Sequence, residues 1–151
     1  MQQVFETTIK SRNMILEMLQ NYTLEQLNKI PAGFNNNLIW NIGHIIVAQQ
    51  LLVYKLSGLP LMIADEMVEK YKNGSKPEQE VTQAELDEMI KLLLTTIDKT
   101  TADYNNGVFM KYHEYTTSIG FSLKNAEEAI TYNNFHEGLH VGIMMTLRKF
   151  I

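Results

Sequence analysis

The sequence predicts an all-α protein folded as a four-helix bundle. Apolar residues recur at spacings of three and four in four long segments, as they do along one face of a helix. The breaks between these segments contain the Asn, Gly and Pro residues that typically end helices. Four helices that each carry an apolar stripe bury those stripes by packing together. A chain of 151 residues suits a single domain, which we assign to residues 1–151.

The first half of the chain contains two of the long helices. The first is predicted over residues 3–20, and a short helical turn capped by Thr23 follows it. The second is predicted over residues 38–56 and ends at Gly58. This second helix is apolar on most of its sides, which is typical of a buried helix.

The second half contains the other two long helices. Thr82 and Glu85 form a capping box, which predicts a helix from there to about residue 104. The last helix is predicted from Leu123 to about Phe150, with Ser122 as its N-cap.

Two long connectors separate these helices. Residues 57–81 lie between the second and third helices and are predicted to hold a short helix over residues 65–72. Residues 105–121 precede the last helix. Connectors of this length are unusual in a small domain and indicate a crossover or a lid.

Composition excludes several classes of protein. There is no cysteine, so disulfides, thiolate metal sites and cysteine nucleophiles are excluded. The net charge is −4 and no basic cluster appears, which argues against a nucleic-acid partner. The first residues lack the pattern of a signal peptide, and no apolar run is long enough to span a bilayer. We therefore expect a soluble, cytoplasmic protein without a membrane partner.

A pair of histidines on the last helix is the main candidate for chemistry. His136 and His140 are four residues apart, so they lie one turn apart on the same helix face. With Glu137 they spell the His-Glu-x-x-His pattern of zinc proteases. Such proteases need a third ligand downstream, but residues 141–151 contain no His, Asp, Glu or Cys. A third ligand must therefore come from upstream.

His44 is the upstream candidate because it shares a core-facing stripe of the second helix. Three inward histidines from two helices suggest a divalent metal site of His44, His136 and His140, with water at an open position. Imidazole ligands suit Zn, Ni, Cu and Fe. The alternative is that these histidines are structural. His113 lies in the loop of residues 105–121 and is expected to be exposed.

Glu137 is the candidate catalytic residue. It lies about 100° around the helix from His136, where it can act as a base on metal-bound water. The alternative is an ordinary solvated glutamate. Asn133 and Asn134 precede His136 by a turn or less, and either could orient a ligand through a hydrogen bond.

Two blocks of the sequence resemble the DinB superfamily of DinB/YfiT-like metalloenzymes. One is LIWNIGHI, residues 38–45, which resembles the block around the family's first ligand. The other is NFHEGLHVG, residues 134–142, which resembles the block of its last helix. The resemblance covers most of the chain in helix order and spacing.

The resemblance implies a four-helix bundle with up-down-down-up topology, in which the long connector of residues 57–81 is a crossover. It implies metal ligation by His44, His136 and His140, with water completing the coordination. It also implies a small-molecule substrate and homodimers. It leaves the reaction open between a hydrolase and a transferase that uses a low-molecular-weight thiol. A non-catalytic stress-response or binding module is the competing interpretation.

Overall fold

Helices account for most of the protein in the computed structural model, which describes residues 1–151. A π-helical turn, Gln50–Lys55, continues the third helix, and a two-stranded antiparallel hairpin precedes the last. The remaining elements are α1 (Gln2–Leu19), α2 (Leu24–Asn28), α3 (Leu38–Gln49), α4 (Asp65–Tyr71), α5 (Gln83–Asn105), β1 (Tyr115–Thr116), β2 (Ser122–Leu123) and α6 (Ala126–Leu147).

The four long helices form a closed ring of contacts. Helix α1 packs against α5 and α6, and α3 packs against the same two helices. Each helix therefore has two neighbours and one diagonal partner, which is the arrangement of a four-helix bundle. The prediction of this fold is confirmed.

Side-chain contacts show that α1 and α6 run in the same direction. Near the start of α1, Thr8 donates a hydrogen bond to Asn134 of α6. One turn further along both helices, Arg12 pairs with Glu137. Positions that increase together along two neighbouring helices define a parallel pair.

The same reasoning makes α3 and α5 parallel. Gln49 at the end of α3 donates to Thr100 of α5, and Tyr54 in the π-helical turn donates to Asp103. The two pairs run in opposite directions, because Phe5 at the start of α1 packs edge-on against Tyr104 at the end of α5. This is the up-down-down-up order, and the connector between α3 and α5 is the crossover that it requires.

Helix caps account for several of the boundaries. The predicted capping box at the start of α5 is present, since Thr82 accepts from the backbone of Glu85 and the Glu85 side chain accepts in return. Thr23 makes the equivalent box with Gln26 at α2. The short helix predicted in the crossover is present as α4, one residue shorter than predicted.

The predicted start of the last helix was wrong by three residues. Ser122 is not the cap, because Ser122 and Leu123 form β2 and pair with β1. The helix begins at Ala126, and Asn125 caps it by accepting a hydrogen bond from the backbone of Glu128 at 2.8 Å. Extended pairing in the hairpin therefore replaces the first helical turn that we predicted.

The second long helix is also less regular than predicted. After Gln49 it continues as the π-helical turn, in which the N–H of Leu56 bonds to the carbonyl of Leu51, five residues back. The buried side chain of Gln50 accepts a hydrogen bond from the backbone of Met62 in the crossover.

No helix of the structure combines the length and the apolar character needed to cross a bilayer.

Candidate metal centre

The structure brings together the three histidines that the sequence singled out. His44 on α3 and His136 and His140 on α6 each offer one ring nitrogen, and these nitrogens lie within 4.8 Å of one another. The antiparallel contact between α3 and α6 creates this cluster from residues 92 positions apart. His113 is exposed in the loop before β1 and takes no part, as predicted.

The tautomer of His44 is fixed by its surroundings. Its Nδ1 lies 2.7 Å from the backbone carbonyl oxygen of Tyr71 at the end of α4. A carbonyl oxygen only accepts hydrogen bonds, so Nδ1 carries the proton and donates it. The neutral ring then has a lone pair on Nε2, the atom that faces the cluster.

Asn41 fixes the tautomer of His140 in the same way. The amide nitrogen of Asn41 donates to the carbonyl of Asn37 at 2.7 Å, which sets the orientation of the amide. Its Oδ1 therefore faces Nδ1 of His140 at 2.8 Å, and Nδ1 must donate. The lone pair of His140 is again on Nε2. Sequence analysis missed Asn41, although it lies three residues before His44 on the same helix.

His136 completes the cluster with a different environment. Its Nδ1 is buried and has no hydrogen-bond partner in the protein. Its Nε2 lies 3.3 Å from Nε2 of His44. Because Nε2 of His44 carries a lone pair, the close approach of the two nitrogens is stabilised either by a proton on Nε2 of His136 or by a cation that both nitrogens bind. Three imidazole nitrogens of this kind are a suitable donor set for Zn, Ni or a similar divalent ion.

Burial keeps the three imidazoles uncharged. It lowers the pKa of His136 to about 4, helped by repulsion from His44. It lowers the pKa of His140 to about 3, helped by repulsion from His136 and His44. Burial also lowers the pKa of His44, against the opposing effect of its bond to Tyr71. Neutral imidazole is the form that binds metals, so the cluster is ready for a cation at pH 7.

These lowered pKa values predict that metal binding releases few protons at pH 6. Three histidines with the ordinary pKa of about 6.5 would release about 2.3 protons on binding at that pH. Here His136 and His140 are already deprotonated, so we expect release of fewer than about one proton in total. Calorimetric titration with Zn²⁺ in two buffers of different ionisation enthalpy measures this number. Release of two or more protons would contradict the prediction.

Trp40 shields one side of the cluster. Its ring stacks on His44 with centroids 4.8 Å apart and an angle of 9°. Its Nε1 donates to the hydroxyl of Ser75 in the crossover, which holds the indole in place. An aromatic wall of this kind limits the access of water to the histidines.

Glu137 is not the solvated glutamate of the alternative interpretation, because only 1% of it is exposed. Its two carboxylate oxygens accept hydrogen bonds from the guanidinium of Arg12, and one also accepts from Asn133. Asn134 donates to the backbone of Val4. Neither asparagine makes a hydrogen bond to a histidine, so the prediction that one of them orients a ligand in this way was wrong.

The buried face of α6 is centred on Asn133 and Glu137 rather than on the histidines. His136 and His140 therefore lie at the edge of this face and are partly exposed. Ile143, which helical spacing places on the same face as His136 and His140, is 38% exposed. This edge position leaves room for a cavity of about 320 Å³ beside His44 and His136.

Comparison with known proteins supports the fold and the family. The family model of the DinB superfamily matches residues 7–144. A solved structure of a conserved protein from Enterococcus faecalis is similar, with a TM-score of 0.70 over 99% of this chain and 95% of that chain. The two sequences are 14% identical, so this likeness shows the fold alone. No curated protein matches the chain.

Proposed function

We propose that this chain, which belongs to the DinB superfamily, binds one divalent metal ion through His44, His136 and His140. The observation that carries the proposal is the pair of fixed tautomers. Tyr71 and Asn41 accept hydrogen bonds from Nδ1 of His44 and His140, which keep their protons there, so both Nε2 lone pairs face the same small space. Lone pairs gathered in this way repel one another unless a proton or a cation lies between them.

We further propose that the protein is a metal-dependent enzyme acting on a small molecule. A bound divalent ion would supply Lewis-acid chemistry, lowering the pKa of a water or thiol at its open position. The protein would orient the imidazoles of His44 and His140 through their hydrogen bonds to Tyr71 and Asn41. It would also shield one side of the site with Trp40 and offer the adjacent cavity to a substrate. Glu137 as a base stays a prediction, and its ion pair with Arg12 competes with that role.

The proposed reaction is either a hydrolysis or a transfer to a low-molecular-weight thiol. A divalent ion suits both, since each uses a nucleophile, water or thiol, that the ion would activate at its open position. A transferase should convert electrophilic test compounds only when bacillithiol, mycothiol or glutathione is added. A hydrolase should act without any thiol. Cytoplasmic location and the homodimer implied by the family resemblance stay predictions.

The competing function is a non-catalytic stress-response or binding module with structural histidines. It predicts that the cluster is held by a proton between His44 and His136 and takes up no stoichiometric metal. Their Nε2 atoms are close enough for that bond, at 3.3 Å. Metal content therefore separates the two functions directly.

The decisive experiment is elemental analysis of untagged protein after reconstitution with Zn²⁺ or Ni²⁺. We expect on the order of one equivalent in the wild type, and far less in His44→Ala, which removes one of three ligands. His113→Ala is the matched control, since His113 is exposed and outside the cluster. Sites of this kind normally bind their metal tightly enough to stay filled during purification. Less than about a tenth of an equivalent in the wild type would therefore refute the proposal.

A further inference from the structure

We infer that the cavity beside the histidines binds a small molecule with an apolar body and an anionic group. The inference names the class of molecule that the proposed metal site would act on. Binding of the ligand is argued from the cavity alone, and only its role as a substrate rests on the proposed function. The cavity has a volume of about 320 Å³, the size of a site for a small ligand. His44 and His136 form part of its wall.

The apolar part of the wall comes mainly from a single helix face. From His44 this face continues through α3 and the π-helical turn at spacings of three and four residues. Tyr132 of α6, which lies one turn before His136, adds an aromatic ring. The apolar side chains of this face are Val47, Ala48, Leu51, Leu52 and Leu56. Such a surface favours a ligand with a hydrocarbon portion.

The charged part of the wall is exclusively basic. Of the 14 lining residues none is Asp or Glu, whereas two are lysines, Lys55 and Lys72. The whole chain carries a net charge of −4, so this local charge is opposite in sign to that of the protein. A cavity lined by one sign of charge attracts ligands of the other sign.

Both lysines are available to a ligand. Lys55 is exposed at the end of the π-helical turn and has no ion-pair partner in the structure. Lys72 pairs with Glu69, but both side chains are largely exposed. A pair between exposed side chains is weak, so an incoming anion can replace the glutamate at small cost.

The positions of these groups order the ligand within the cavity. His44 and Lys55 are eleven residues apart on one helix, which places them roughly 16 Å apart along its axis. Lys72 directly follows Tyr71, whose carbonyl contacts His44, so the backbone of Lys72 lies near the histidines and Lys55 marks the far end of the cavity. The anionic group would lie at Lys55, with the apolar body along the helix face toward the histidines.

The inference can be tested with simple amphiphiles on protein stripped of metal by a chelator. We expect octanoate and octyl phosphate to bind the wild type and to shift the amide resonances of Val47 and Tyr132. Octanol should bind at least about tenfold more weakly, the factor that 1.4 kcal/mol of lost charge interaction produces. Both anions can pair with a lysine, so their relative affinities distinguish a carboxylate site from a phosphate site.

Charge reversal provides the matched variants. Lys55→Glu should weaken octanoate binding by about tenfold or more and should strengthen binding of octylamine. Lys10→Glu makes the same change on an exposed residue of α1 outside the cavity and should leave both affinities unchanged. Equal binding of octanoate and octanol, or equal losses in the two variants, would overturn the inference.

A parallel titration of metal-loaded protein separates this inference from the proposed function. Octanoate binding that is the same with and without metal supports the lysines as the anion site, even if the protein proves to hold no metal. Binding that appears only after metal loading would assign the carboxylate to the ion and overturn the inference while leaving the metal site intact.

Discussion

Replacing Glu137 by glutamine is expected to lower the free energy of unfolding by about 3–5 kcal/mol, the usual cost of removing one partner from a buried ion pair. The side chain of Arg12 is fully buried and that of Glu137 is 1% exposed. Glutamine keeps the shape of the side chain but leaves the guanidinium without a counter-charge. Urea unfolding followed by circular dichroism measures the change from the shift in midpoint.

The loss is large because Arg12 connects all four long helices. From its place on α1 its guanidinium donates to Glu137 on α6 and to Gln49 on α3. It also donates to the carbonyl of Leu93 and the hydroxyl of Thr96 on α5. With the carboxylate neutralised, the remaining polar partners do not offset the desolvated charge.

Two further variants make this prediction specific. Glu88→Gln removes one partner from the exposed pair with Lys91 and should cost less than about 1 kcal/mol. A double replacement of Arg12 and Glu137 by methionine removes both buried charges and should recover most of the lost stability. A similar cost for Glu137→Gln and Glu88→Gln would show that the buried pair contributes no more than a surface pair.

The position of the histidines could be predicted from the sequence because helical periodicity is a local property. The spacing of His136 and His140 places both on one face whatever the rest of the chain does. The apolar residues around His44 likewise give that histidine an inward direction. The packing of the second helix against the last is not a local property. The up-down-down-up topology that brings them together was implied by the family resemblance, not by the spacing of residues.

Arg12 and Asn41 show why the remainder could not be predicted. A lone arginine among polar residues of α1 is typical of a surface position, because a buried guanidinium requires partners that only the folded bundle supplies. Asn41 is one polar residue in an apolar helix, and its partner His140 lies 99 positions away. The exposure of Ile143 has the same origin, since the packing of α6 decides which edge of its stripe faces the solvent.

Adding a single methyl group at Gly43 is expected to weaken metal binding by about 10–100-fold, the usual effect of disturbing a group that orients a metal ligand. A Cβ at this position would lie 2.5 Å from two ring atoms of Tyr71. One of these atoms is Cγ, the ring atom nearest the backbone, so we expect relief of the clash to shift the backbone carbonyl of Tyr71 that accepts the hydrogen bond from Nδ1 of His44. We expect Gly43→Ala to cost about 1–3 kcal/mol of stability as well, as overpacking does.

The last helix provides the control for this change. Gly138 is also in a helix interior, but a Cβ there would meet no atom within 4 Å. Gly138→Ala should therefore stabilise the protein by up to about 1 kcal/mol through helix propensity and leave metal affinity unchanged. Competition with a chromogenic chelator measures the affinity of both variants. If Gly43→Ala were destabilised but bound metal as the wild type does, the bond between Tyr71 and His44 would have no part in holding the ion. If both affinities change as expected, the close approach of α3 and α4 at Gly43 is what sets the orientation of the first ligand.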